Sequence, residues 1–184
     1  MKNIALVEQY VRQILQGENT GHDYYHSIRV LNNALLIAKG LDVDIDLIKV
    51  CCLVHDLIDR KVTSDIVMAK NNLEKCLIEA EYKKEEISKI FHIIENVSYS
   101  KGTVPSSLEG LIVQDADRLE ALGAIGIART FAYGGKNNRL IYDPEKKGND
   151  DSIAHFYDKL LKLEELMNTE NAKNIARERT IYMK

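Results

Sequence analysis

A chain of 184 residues, 45% apolar and 29% charged, can bury a core without covalent staples and falls within the size of one domain. A net charge of -3 excludes the surplus of Lys and Arg on which non-specific nucleic-acid binding depends, so an anionic ligand has to be met locally. Three cysteines, two of them adjacent and none in a CxxC pair, exclude a disulfide framework and a thiolate zinc site, and they fit a reducing cytoplasm.

Ile4, Val7, Val11, Ile14 and Leu15 recur at helical spacing, and Glu8, Gln9 and Arg12 among them break the apolar stretch an export signal would need. No run of about 18 apolar residues follows, so no membrane span is expected. After a break at Thr20 and Gly21, Ile28, Leu31, Leu35 and Ile37 carry a second helix. Asp44 or Asp46 can cap a third, through Ile48, Val50, Leu53, Val54 and Leu57, whose apolar density marks a centrally buried element. Ser64 can cap a fourth running toward Tyr82. Residues 85–97 form a fifth, and SKGTVPSS is a loop before a sixth at 111–131, in which Gly123 and Gly126 read as close helix packing. The polar stretch 133–151 is the longest without periodicity, and loops of that length in compact domains often act as lids. Helices at about 152–167 and 170–182 close the chain. With no alternating strand pattern and no repeat, the expected fold is all-α: a single-domain bundle of about eight helices over residues 1–184.

The chemistry centres on His55 and Asp56. They lie inside the apolar run VCCLVHDLID, where an uncompensated imidazole and carboxylate are costly to bury. A His to Asp hydrogen bond with no ion would satisfy them, and so would a metal. His26 in GHDYYHSIRV and Asp117 in VQDADRLEALGAIGIAR favour the metal. Two neutral nitrogens and two anionic oxygens from three helices suit a divalent cation of mixed N/O preference, with positions left for water and substrate oxygens.

In their order, these four residues resemble the pattern of the HD superfamily of metal-dependent phosphohydrolases. The strings GHDYYHSIRV, HDLIDRK, DADRLEALGAIGIAR, FAYGG and HFYDKLLKLEELMNTENAK extend the likeness from Gly21 to about Arg179. They resemble the small bacterial HD hydrolases that cleave nucleoside triphosphates to monophosphate and pyrophosphate. The resemblance implies one divalent ion, Mn2+ foremost and Mg2+, Co2+, Ni2+, Zn2+ or Fe2+ as alternatives, held by His26, His55, Asp56 and Asp117. Such an ion can bring the pKa of a bound water from about 15.7 toward about 7.

The resemblance also makes Asp59 the acidic group that positions or deprotonates the attacking water. In a continuous helix it would share a face with His55 and Asp56, and it stands where relatives often carry the longer Glu. Phosphoryl transfer needs cations around the charged oxygens, for which Lys61 and Arg29 come first and Arg118, His155 and Lys159 second. Arg29 and Arg118 would serve equally to neutralise buried carboxylates. His22 and Asp23 are implied to be substrate-side, the alternative being a solvated His22 and a helix-capping Asp23. Asp115, offset by two residues from Asp117, reads as a support and not as a ligand. His92, with Glu95 one turn on, occupies the interval where two-metal relatives carry extra histidines, and a single His there favours one metal. The same scaffold could serve a phosphomonoesterase, a cyclic-nucleotide phosphodiesterase or a non-catalytic nucleotide-binding regulator. The expected partner is a small nucleotide, with neither nucleic acid nor membrane, and the chain is expected as a monomer or homodimer.

Overall fold

The computed structural model describes residues 2–17, 21–60, 62–98, 102–145 and 151–184. Lys61 and residues 146–150 of the expected lid lie outside the described residues. The helices are α1 (Ile4–Ile14), α2 (Tyr24–Ile37), α3 (Ile45–Val54), α4 (Ile66–Glu79), α5 (Lys84–Ile94), α6 (Leu108–Leu119), α7 (Gly123–Lys136), α8 (Ser152–Asp158) and α9 (Glu170–Met183), with a 3-10 segment at Leu160–Leu166 between the last two. Among the described residues no strand is present, and no helix is long and apolar enough to cross a membrane.

Short polar residues start most helices by accepting an otherwise orphaned backbone N–H: Asp23 for α2, Asp44 for α3, Ser107 for α6, Asp151 for α8 and Thr169 for α9. For α4 the cap is Asp65, accepting from Met68 N at 2.9 Å, and not the expected Ser64. The middle of the molecule is α3, in which Ile48 and the run from Val50 to Val54 are all buried. α2, α3 and α6 pack against one another, α5 backs α3, and α9 packs on α6 and α7. Cys51 and Cys52 act here as small apolar side chains, and burial pushes both thiols above their usual range.

Four boundaries differ from the sequence expectation. First, α3 ends at Val54, so His55 and Asp56 stand at the helix exit and not within it. There the chain tightens into three-residue turns, Leu57 N to Val54 O at 3.1 Å and Asp59 N to Asp56 O at 3.0 Å, while the Cys52 carbonyl accepts the His55 ring. Second, the sixth helix is two. Leu122 is extended, Gly123 takes φ +73°, a value that suits a residue without Cβ, and the chain turns a corner into α7. Gly126 then packs so closely on the Ala121 carbonyl that a Cβ would collide with that backbone oxygen. Third, α7 runs to Lys136, so Gly134 and Gly135 are helical and the aperiodic stretch begins only after them. Its described part is tied down: Ser152 N donates to Leu140 O at 2.9 Å and Ile153 N to Ile141 O at 3.1 Å. Fourth, the helix expected over 152–167 breaks at Lys159. Leu160 and Leu163, which eclipse at three residues per turn, bury the 3-10 segment that follows.

Candidate metal centre

His26 comes from the first turns of α2, His55 and Asp56 from the exit of α3, and Asp117 from the last turn of α6. These are the three elements whose mutual packing forms the centre of the fold, so the four side chains converge. Asp23 Oδ1 accepts from His26 N at 2.7 Å and thereby fixes the α2 entry. His26 is fully buried, His55 and Asp56 nearly so, and the Asp117 side chain is a quarter exposed.

The imidazole Nε2 of His26 lies 3.4 Å from Asp56 Oδ2 and 3.3 Å from Asp117 Oδ1, and that of His55 lies 3.3 Å and 3.7 Å from the same two oxygens. All four separations exceed the 2.7–3.2 Å range of a normal N–H to O hydrogen bond. They are close to the edges of a coordination polyhedron with bonds of about 2.1 Å, roughly 3.0 Å if octahedral and 3.4 Å if tetrahedral. Both Nε2 atoms are buried without a hydrogen-bond partner. Orphaned ring nitrogens facing two carboxylate oxygens at these spacings fit a divalent cation: His26, His55 and Asp117 form one group close enough to hold it, and His22, His26 and Asp56 form a second that shares His26.

His55 is set for the task by its other nitrogen: Nδ1–H donates to the Cys52 carbonyl at 2.8 Å, which leaves Nε2 with its lone pair toward the carboxylates. His22 reaches the same cluster. Its Nδ1 pairs with Asp56 Oδ2 at 2.8 Å, so its contact is a carboxylate of the group itself.

Without a cation, burial disfavours a charged His26, but the facing Asp117, Asp56 and Glu120 carboxylates outweigh it and raise its pKa to about 9. His55 moves upward by the same balance, while the imidazoles hold Asp56 and Asp117 below the usual carboxylate range despite burial. A cation must therefore displace protons. Divalent-ion affinity should rise with pH through neutrality, and uptake should release about one proton or more per ion. Calorimetric titration with Mn2+ in two buffers of different ionisation heat measures this, and identical heats in both would contradict it. For the metal-free fold, the raised His26 pKa contributes stability that is full below about 6.5 and fades as pH rises through about 9.

The remaining candidates are dispersed. Asp59 accepts from Ser98 Oγ at 2.9 Å, in a turn and not on a helical face shared with His55. Asp23 caps α2, the alternative the sequence offered. Arg29 Nε pairs with the buried Glu120 at 2.6 Å. Arg118 donates to the exposed Leu166 carbonyl and lies 4.0 Å from the buried Asp115, so both arginines have a buried carboxylate beside them. Asp115 is fully buried and accepts from the backbone of Asn168 and Thr169 and from both their side chains, which anchors the start of α9. His155 on α8 and Lys159 at its C-cap lie near Arg139. Burial and those two positive charges depress the His155 pKa. His92 is exposed and bonds Ser106 at 3.2 Å, and Glu95 pairs with Lys70, so neither joins the four-residue group.

The chain belongs to the HD domain family, whose sequence profile matches residues 23–122. It is 37% identical to YpgQ of Bacillus subtilis (strain 168) over 190 aligned residues, covering 100% of this chain and 91% of that protein. The crystal structure of YpgQ in complex with ADP matches with a TM-score of 0.84 and 34% identity, covering 100% of this chain and 92% of that one. An HD-superfamily hydrolase from Bacillus thuringiensis matches with a TM-score of 0.81 and 40% identity, covering 100% and 93%.

Sequence reasoning missed Glu120, Asn33 and Ser98. Glu120 sits three residues after Asp117 on one face of a helix, and Asn33 continues the stripe of His26 and Arg29 along α2. That spacing was the available signal. Ser98 has no such local signature.

Proposed function

We propose that the protein is a metal-dependent phosphohydrolase that cleaves ribo- or deoxynucleoside triphosphates to monophosphate and pyrophosphate, with one divalent ion, Mn2+ foremost, on His26, His55, Asp56 and Asp117. The observation that carries the reading is the pair of buried, unpartnered Nε2 atoms facing two ionised carboxylates. When bound, the ion supplies Lewis acidity toward a phosphoryl oxygen and lowers the pKa of a nearby water.

The chain's own residues do the rest. Asp59, held by Ser98, orients the attacking water and accepts its proton at a carboxylate oxygen while the water oxygen bonds to phosphorus and pyrophosphate departs. Lys61 and Lys159 offset charge on the phosphates, with His155 as a neutral hydrogen-bonding group and Arg139 beside it. His22 holds Asp56 in place from the substrate side. The strap after α7, fastened to the start of α8, closes over the bound nucleotide.

Support for a nucleotide comes from the resemblance of the motif strings and from the ADP complex of YpgQ. The three free, buried thiols suit a reducing, cytoplasmic setting, in which the chain acts on small nucleotides as a monomer or homodimer.

The test is incubation with Mn2+ and a panel of nucleoside tri-, di- and monophosphates and cyclic nucleotides, followed by separation of pyrophosphate, orthophosphate and nucleoside products. Pyrophosphate and monophosphate from triphosphates are expected. Orthophosphate from monophosphates alone, or no product above a chelated control, would overturn the assignment.

A further inference from the structure

The second ring nitrogen of His26 has a different environment from that of His55. His55 Nδ1 meets a neutral backbone carbonyl, whereas His26 Nδ1 is buried without a hydrogen-bond partner and faces Glu120 Oε2, a carboxylate only 4% exposed, across 3.6 Å, a gap that has to close by a few tenths of an ångström for a hydrogen bond to form. Burying that charge is costly and needs partners. Arg29 Nε holds Oε2 at 2.6 Å and Asn33 Nδ2 holds Oε1 at 3.3 Å, so both oxygens are engaged. Asn33 is fixed in turn by Arg179 of α9, which donates at 2.7 Å to its Oδ1 and at 2.8 Å to the Leu119 carbonyl. Arg129 of α7 donates to the Glu120 backbone carbonyl at 3.2 Å.

Four helices thus hold one carboxylate against the back of one imidazole. For stability alone, an apolar side chain of similar volume often serves as well as a buried ion pair. What a carboxylate does, and an apolar group cannot, is keep the proton on Nδ1 and raise the basicity of the ring.

We propose that Glu120 is the positioning residue of His26: it accepts from Nδ1–H, fixes the ring's orientation and tautomer, and leaves the Nε2 lone pair aimed at the divalent ion. The proposal rests on the metal-binding reading above and deepens it. Arg29 and Asn33 act one step further out by holding Glu120. Arg29 is one-third exposed and borders a cavity of about 590 Å3, so water can replace its contact when it is substituted.

The test uses the full chain, labelled with 15N-histidine and loaded with Zn2+, which is diamagnetic. In the wild type, NMR should show His26 coordinated through Nε2 with Nδ1 protonated and its proton shifted downfield. Glu120→Gln should move that proton upfield and weaken Zn2+ and Mn2+ binding by about 10- to 100-fold, the range for lost support of a metal-bound His. Glu120→Asp should recover part of the affinity, and Arg29→Gln should lose less than Glu120→Gln.

Wild-type affinity together with an unmoved His26 proton in Glu120→Gln would overturn the proposal. If that variant does not fold, the wild-type spectrum decides, because a bare or coordinating His26 Nδ1 is incompatible with the role. Failure of the wider reading looks different. A wild type that binds no ion removes both, whereas one that binds Zn2+ with the expected spectrum but hydrolyses no nucleotide leaves the Glu120 role intact.

Discussion

Asp117→Asn should keep the fold and lose the ion, with metal content falling from about one per chain to near none and nucleotide hydrolysis falling to background. The side chain is a quarter exposed and the replacement has nearly the same volume, so packing is preserved. What disappears is the anionic oxygen that faces both Nε2 atoms at 3.3 and 3.7 Å. An amide oxygen is a weaker donor to a divalent cation, and its NH2 group can turn toward the site. His55→Ala should have the same effect on metal content, but it also removes a nearly buried ring and its bond to Cys52, so part of its effect will be instability. Elemental analysis and Mn2+ titration, read beside circular dichroism and thermal melts, separate the two. A folded Asp117→Asn protein that binds Mn2+ with wild-type affinity would remove Asp117 from the ligand set.

Asp59→Asn should lower kcat by about 10²- to 10⁴-fold, the usual cost of losing general-base assistance, while metal content and Km change little. The variant keeps the side chain's shape and its contact with Ser98 but removes its ability to take a proton. Ser98→Ala should produce a smaller loss of the same kind, since it removes one hydrogen bond that orients the carboxylate without neutralising it. Lys61→Ala, by contrast, should raise Km along with any fall in kcat, because the phosphate contact proposed for it would act on ground and transition states alike. If Asp59 merely ties its turn to Ser98, Asp59→Asn will lower the melting temperature and leave kcat per folded molecule unchanged. Steady-state kinetics on protein of verified metal content distinguishes these outcomes.

The all-α architecture was legible because nearly every helix carries an apolar stripe of period 3.6, and because Asp44 marks the start of α3 and Asp23 offers a cap for α2, whereas the start of α4 falls to Asp65 and not to Ser64. That His55 and Asp56 need partners was legible because polar groups set in an apolar helical run are costly to bury, and that the partners are His26 and Asp117 is what the resemblance to the HD superfamily implied. Helix ends were not legible. The stop at Val54 depends on a ring to carbonyl bond inside the α3 exit, and the corner at Gly123 leaves the apolar spacing of Leu119, Leu122 and Ile125 almost undisturbed. Asp59 therefore seemed to lie on a helical face that does not exist. Glu120 shares a helical face with Asp117 in the helix expected at 111–131, but nothing local marks it as buried; only the packing of α2 and α9 over α6 shows that its carboxylate is enclosed. Asp115 supports the start of α9, and its partners, Asn168 and Thr169, are 53 and 54 residues away and have no local signature.

Asp23 and Arg29 show a different limit. A capping Asp and a substrate-facing Asp have the same sequence neighbours, and the cap became evident only from the 2.7 Å bond to His26 N. Arg29 at three residues from His26 was expected to face either a phosphate or a buried carboxylate. It meets Glu120, on a helix whose register against α2 no local pattern encodes.

The most direct measurement is anomalous diffraction at the manganese edge from crystals grown with Mn2+. The account predicts one strong peak per chain, within coordination distance of His26 Nε2, His55 Nε2, Asp56 Oδ2 and Asp117 Oδ1. A peak that omits these atoms, a second peak of equal strength drawing on His92 or Glu95, or no peak in an active crystal would contradict it.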